Sequence, residues 1–408
     1  MANYQILVAV CVCLCGAKLG AEGGRSEWTF VDYFKFGKEA YLANDWKNCD
    51  ENFNLAIEDY RYYKQVVLRC KKVCRAESKE YAGTKSGGKE KYLEVFETFV
   101  NETLCLMRCK RKGFESDKYN QIPTEMQKEM EKLETYNYLQ LCYYQMTEYA
   151  KAADAAFTYH ILHPNSDIML SNIHYYINSP GVVKDNVINL ENLKYTKYFM
   201  DAAQYYRDES WQQVIDNMEQ VIPKYLESEE DCRFDCEKPF DMGWFPDFIT
   251  SVANHFTFCL RCKLKCPGKL ENLDGEVIEG LFPLTYHYLQ IGYFKVGDLK
   301  SAAQCVESYL LFYPEDEDMT LNREYYQTKE GADPSWFQPW DEVVQYFNRL
   351  KHEKALLSRI DESFKEFESN PDFVESKALE APKLDEKEEV IIVEDYKPTP
   401  PPMVKFEL

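Results

Sequence analysis

The stretch from Tyr286 to Pro314, YHYLQIGYFKVGDLKSAAQCVESYLLFYP, has a gapless copy 150 residues upstream, from Tyr136 to Pro164. This pairing constrains the fold of the 408-residue chain more than any other feature. Tyr136, Tyr138, Leu139, Gln140, Tyr143, Ala152, Ala153, Tyr159 and Pro164 recur as Tyr286, Tyr288, Leu289, Gln290, Tyr293, Ala302, Ala303, Tyr309 and Pro314. In each copy Tyr, Leu, Gln and Tyr stand at i, i+3, i+4 and i+7, one face of a helix of 3.6-residue period. A turn follows, Thr147-Glu148 in one copy and Gly297-Asp298 in the other. The second helix then places small Ala152 or Ala302 where two helices cross closely, and Pro164 or Pro314 ends it because proline has no amide donor. Length and spacing match a tetratricopeptide-type repeat of about 34 residues.

A weaker hairpin spans residues 30 to 61, marked by Gly37, Asn44-Asp45-Trp46, Phe53 and Ala56. Residues 195 to 226 echo it at an offset of 165, where Tyr41, Trp46 and Tyr60 recur as Tyr206, Trp211 and Tyr225. The two offsets describe a duplicated half whose internal insertion differs in length. The predicted fold is therefore all-α: a tetratricopeptide-like helical repeat array in two duplicated halves, with disulfide-bridged helical insertions. The expected order is a signal peptide at 1–21, a first half at 22–175, a second half at 176–320, a C-terminal helical cap at 321–368 and an acidic, proline-containing tail at 369–408. Asn178 to Gly181 supplies the turn that joins the halves.

The apolar run from Ile6 to Ala17 is too short to span a bilayer and fits a secretory leader, cleaved after Ala21 or Ala17. No later apolar run reaches membrane-spanning length, so the processed chain is predicted to be lumenal or extracellular, with no membrane partner. A formal net charge of -21 also argues against nucleic acid or anionic lipid. Losing Cys11, Cys13 and Cys15 with the leader leaves twelve of the fifteen cysteines, an even number in an oxidising compartment.

Eight of these form Cys-x3-Cys pairs, Cys70/Cys74 and Cys105/Cys109 in one half and Cys232/Cys236 and Cys262/Cys266 in the other. Spacing of i and i+4 puts both thiols on one helix face, so two antiparallel helices can be riveted twice. The preferred pairing is Cys70 with Cys109, Cys74 with Cys105, Cys232 with Cys266 and Cys236 with Cys262. Each bridge would contribute roughly 3 to 4 kcal/mol in the loop-entropy model. Zinc is disfavoured, since Cys-x2-Cys knuckles are its usual spacing and free thiolates are scarce in the secretory pathway. Cys259-Leu-Arg-Cys262 has the spacing of a thioredoxin-type pair but lacks the surrounding βαβ pattern. Cys49, Cys142, Cys259 and Cys305 are left without an assigned partner.

Asn101-Glu-Thr103 is a glycosylation sequon, and Ala82 to Gly88 reads as a flexible loop inside the first insertion. Helices are expected over Asn322 to Tyr326 and Asp341 to Phe367, with Trp336 and Trp340 capping the open end of the array. The tail ends Lys405-Phe406-Glu407-Leu408, close to a Lys-Asp-Glu-Leu retrieval signal but with phenylalanine in the second place. A catalytic constellation is harder to find. His160, His163, His174, His255, His287 and His352 are not followed two residues later by Asp or Glu, so the local start of a two-histidine, one-carboxylate iron site is absent. Neither a phosphate loop, a Gly-x-Ser-x-Gly elbow nor a His-Glu-x-x-His motif occurs. Thirty-one tyrosines and twenty-four phenylalanines are expected mostly to pack repeats, with some lining a concave groove.

The paired Tyr-x-Tyr-Leu-Gln hairpins, the four Cys-x3-Cys pairs, the secretory start and the retrieval-like end resemble the leprecan, or prolyl 3-hydroxylase, family over about residues 28 to 350. The similarity is to the repeat region, which in the hydroxylases precedes an iron and 2-oxoglutarate dioxygenase domain; this chain is expected to lack that domain. The resemblance implies a non-catalytic subunit of the endoplasmic reticulum, without a cofactor. It would bind a prolyl 3-hydroxylase and a cyclophilin-type prolyl isomerase and help present procollagen chains for hydroxylation and folding. Phenylalanine at 406 puts autonomous retention in question and leaves secretion to the matrix open. Three alternatives stand beside it: a paralogue serving a lysyl-hydroxylase complex, a thiol-disulfide redox protein working through Cys259 and Cys262, and a structural matrix protein.

Overall fold

The computed structural model describes residues 27–84, 91–240 and 247–368. The expected leader, the tail from Ser369 and the Lys405 to Leu408 end lie outside these residues. Fifteen α-helices account for most of the described residues. Four helical hairpins form its frame: α1 (Phe30–Leu42) with α2 (Trp46–Thr84), α5 (Glu134–Gln145) with α6 (Tyr149–Leu162), α8 (Thr196–Arg207) with α9 (Trp211–Asp235), and α12 (Leu281–Val296) with α13 (Leu299–Leu310). The intervening helices are α3 (Lys91–Phe114), α4 (Thr124–Glu131), α7 (Asp167–Ile177), α10 (Phe248–Leu264), α11 (Cys266–Leu270) and α14 (Glu317–Gln327), and α15 (Asp341–Glu368) closes the order.

Every hairpin turns through one left-handed residue at the same register: Asn44, Thr147, Glu209 and Gly297, with φ of 57°, 62°, 54° and 89°. Glycine occupies only the last, so the other three bear a Cβ penalty. Caps repeat as well. Ser166 and Asp316, 150 residues apart, accept hydrogen bonds from the amides of Met169 and Met319 and start α7 and α14.

Two main cores follow from this duplication, and a smaller third one, of Val66, Cys70, Phe114 and Tyr119, lies in the first arm. Phe30, Phe53, Tyr136 and Leu139 anchor the first, and Tyr225, Phe282, Tyr286 and Leu289 the second. Small residues set the helix separation: Ala152, Ala153, Ala302 and Ala303 are fully buried at the crossings. One buried polar contact appears in both halves. The Tyr176 hydroxyl meets Gln140 Oε1 at 2.5 Å, and the Tyr326 hydroxyl meets Gln290 Nε2 at 2.5 Å. A buried amide without a partner is costly, so this bond fixes the third helix of each half onto its hairpin.

Departures from the sequence reading are local. Residues 82 to 84, expected as loop, are the last turn of α2, and 85–90 lie outside the described residues. A two-stranded antiparallel ribbon, Asn272–Leu273 with Glu276–Val277, interrupts the helices. Its turn is Asp274-Gly275, both at positive φ, the dipeptide that favours a short hairpin. Trp336 and Trp340 lie half-buried against the second core, and Trp340 meets Tyr286 edge to face at 5.6 Å.

Gly292 lets α12 approach α9: a Cβ there would lie 2.8 Å from Ile215 Cγ1. Gly292→Val is expected to cost about 1–3 kcal/mol by overpacking. Thr147→Gly, which relieves a left-handed β-branched residue, is expected to stabilise by about 1 kcal/mol. Chemical denaturation of the two variants checks both signs.

Candidate functional site

α2 and α9 each leave a hairpin and continue as the inner strut of an arm. In the first arm α2 packs against α3, and in the second α9 packs against α10 and α11. Cys70 is bridged to Cys109 and Cys74 to Cys105, with Cα separations of 5.7 and 5.6 Å. Cys232 is bridged to Cys266 and Cys236 to Cys262, at 5.9 and 5.6 Å. Two bridges one turn apart remove the rotation that a single bridge would leave free. Asn101 of the sequon sits half-buried in the middle of α3.

A fifth bridge, Cys49–Cys142, links α2 to α5 across 93 residues, a pairing that no local spacing indicates. Tandem stacking packs the second helix of one repeat on the first helix of the next, and that logic pairs these two positions. Their equivalents in the second half are Val214 and Gly292, where close packing replaces the covalent link.

The redox arrangement is not formed. Cys262 is joined to Cys236, which leaves Cys259 alone; its half-buried thiol faces the Cys236 carbonyl at 3.4 Å and is pushed above the ordinary thiol pKa by burial. A raised pKa disfavours the nucleophilic thiolate. Cys305 is buried in the second core and its thiol is raised further for the same reason. The sulfurs of Cys232, Cys236 and Cys266 do lie within 4.8 Å of one another, because two bridges adjoin on one helix. Oxidised sulfur has no thiolate to offer a metal.

The histidines are dispersed, with His174 and His352 exposed. His163 Nε2 is 2.8 Å from the Lys132 carbonyl, His255 Nε2 is 2.9 Å from the Lys238 carbonyl, and buried His287 has its pKa lowered by burial. Among the described residues they form no cluster with carboxylates.

Where the arms meet, charge does the joining. Lys64, Lys71, Lys72 and Arg75 form one face of α2 and oppose the acidic end of α9. Lys64 pairs with Asp235 at 2.9 Å, Lys72 with Asp231 at 2.7 Å and Arg75 with Glu237 at 2.8 Å. Lys71 Nζ donates to the Phe234 carbonyl at 2.5 Å, a cation at the negative end of a helix, where it shares that carbonyl with the Glu237 amide. Burial pushes its ammonium pKa down against the pull of Glu237 and Asp235. Glu237 also receives Lys263 of α10 at 2.5 Å. Burial alone would raise the Glu237 carboxyl, but Lys263 and Arg75 outweigh it and hold it below the usual glutamate value.

The segment between the halves is strapped down. Glu191 accepts from Arg61 Nη2 and the Tyr136 hydroxyl, both at 2.7 Å, and Asn189 reaches Asp274 of the ribbon at 3.1 Å. At the other end α15 is clamped by Arg349 on Glu229 at 2.7 Å and by a two-bond contact of Arg233 with Glu353. Each half also displays an aromatic pair at the same register: Tyr144 with exposed Tyr175, and Phe294 with exposed Tyr325, with centroids 5.8 and 5.9 Å apart.

Residues 30–330 match the family model of the leprecan TPR-like repeat region. The chain belongs to the leprecan family. It is 31% identical to cartilage-associated protein of Mus musculus over 327 residues, 79% of this chain and 81% of that protein. The same protein of Homo sapiens is 31% identical over 329 residues, with 79% and 81% covered. Prolyl 3-hydroxylase 2 of Gallus gallus is 30% identical over 363 residues, 86% of this chain but 51% of that enzyme. This leprecan chain therefore shares with the hydroxylase about half of the latter's length. No helix among the described residues is long and apolar enough to cross a membrane.

Two outcomes test the site. Non-reducing peptide mapping should recover the five bridges with Cys259 and Cys305 as slowly alkylated thiols, and Cys49→Ser/Cys142→Ser should cost about 2–5 kcal/mol. Second, because the folded Glu237 pKa lies below its unfolded value near 4.5, its contribution is whole above pH 4.5 and is lost as pH falls through the lower folded value. Urea midpoints of the wild type should fall below pH 4.5 more steeply than those of Glu237→Gln.

Proposed function

We propose that this leprecan is a non-catalytic scaffold of the endoplasmic reticulum lumen that binds a prolyl 3-hydroxylase, together with a cyclophilin-type isomerase, and supports prolyl 3-hydroxylation and folding of procollagen chains. One observation carries the reading: residues 30–330, the region matched to the family, are a repeat array held by five bridges, and among its described residues the histidines gather into no cluster with carboxylates. Such an array offers surface and rigidity, the properties of a docking frame. The paired Lys-Phe-Glu-Leu ending and the leader support lumenal residence, with retention shared by a partner carrying a stronger signal.

Procollagen contact is assigned to the duplicated aromatic pairs. An unfolded collagen segment is an extended, proline-rich chain, and such chains settle between aromatic rings because their ordering entropy is already low. Tyr175 and Tyr325 are exposed at 55% and 44%, so rings on both halves are available to one long ligand. Asn101 is the proposed glycan attachment site of the first arm.

The test uses the full chain. Purified recombinant prolyl 3-hydroxylase should co-elute with it, and a lysyl hydroxylase should not; the opposite result transfers the scaffold to the other complex and overturns the reading. Tyr175→Ala/Tyr325→Ala should weaken binding of a single-stranded (Gly-Pro-Pro)-type peptide about tenfold without lowering the melting temperature.

A further inference from the structure

The two arms carry an apolar surface that the array does not use for its own packing. On α3, Leu93, Val100, Leu104 and Met107 are exposed at 44, 57, 50 and 66%. On α10, Phe248, Ile249, Val252 and Phe256 are exposed at 62, 73, 42 and 51%. The arms touch here: Phe96 packs on Phe248 with centroids 5.4 Å apart, and Phe99, itself half-exposed, packs on Phe96 at 6.2 Å. With their neighbours these side chains amount to on the order of 1,000 Å² of apolar surface, well above the largest patch of an ordinary monomer and near the ~800 Å² per partner of a specific complex.

We propose that this surface is the seat of the partner hydroxylase, occupied by an amphipathic helical face of that protein. The proposal rests on the functional reading above. Three observations select the occupant. The exposed residues of α3 are separated by seven, four and three positions and those of α10 from Ile249 by three and four, the spacing at which one helix offers knobs to another. Next, an extended proline-rich chain is a poor match, because these side chains are aliphatic or phenylalanine and bring no hydroxyl or indole donor for its carbonyls. A second copy is disfavoured by the net charge of -21 that each would carry. Four disulfides and the ionic joint hold both arms before the partner arrives, so little ordering cost attaches to binding. Exposed Glu97 lies toward one end of the α3 stripe and Arg108, Arg111 and Lys112 toward the other, which gives the docked helix a polarity.

Val100→Asp/Met107→Glu in the full chain should leave the melting temperature and the bridge map unchanged while weakening binding of purified prolyl 3-hydroxylase about 100-fold. Val100→Leu should bind as the wild type does, and binding of the (Gly-Pro-Pro)-type peptide should be unaffected by any of these changes. Unchanged hydroxylase binding by the double variant overturns the surface and leaves the function standing. No binding by the wild type overturns the function and this occupant together. A wild-type dimer in sedimentation that the double variant converts to monomer gives the surface to a second copy and overturns the proposal.

Discussion

Everything in this molecule hangs on α2 and α9 being unbroken where they pass from repeat to arm. α2 runs 39 residues and α9 runs 25, so each is at once the second helix of a hairpin and the inner strut of an insertion. A helix transmits orientation over its whole length, about 58 Å for α2 at 1.5 Å per residue. The direction of each arm is thereby set by the packing of the repeat beneath it. The paired bridges then fix the outer helices against rotation, and the charged faces of the two struts lock one half against the other.

That lock is electrostatic for a reason that the sequence makes plain. Lys64, Lys71, Lys72 and Arg75 are spaced to share a helix face, and Glu230, Asp231, Asp235 and Glu237 stand near the end of the other strut. Exposed pairs of this kind contribute little singly. Here several converge on partly buried Glu237 and on the negative end of α9, where solvent screens them less and a missing partner would be costly. The joint is thus specific in register even if no one pair is strong.

The two halves reach the same geometry by different chemistry. The Gln140–Tyr176 and Gln290–Tyr326 contacts are retained at an offset of 150, because a buried amide demands its partner in either half. Between stacked hairpins, Cys49–Cys142 in one half corresponds to Val214 and Gly292 in the other. A covalent tie and a close van der Waals approach answer the same need, to hold the second helix of one repeat on the first helix of the next.

Helical periodicity and the repeated hairpins determined the elements, the duplication and the fold class, because these rest on contacts between residues near in sequence. Cysteine spacing made four bridges legible for the same reason: i and i+4 lie on one face whatever surrounds the helix. Cys49 and Cys142 stand alone, 93 residues apart, so their link depended on how repeats stack. The Asp274-Gly275 turn of the ribbon is a two-residue local signal set among helices, where the helical period masks it. Only the tertiary structure decided that the arms would touch through Phe96 and Phe248 and leave an apolar surface outward, since burial is a property of what the rest of the chain covers, and no local pattern records that.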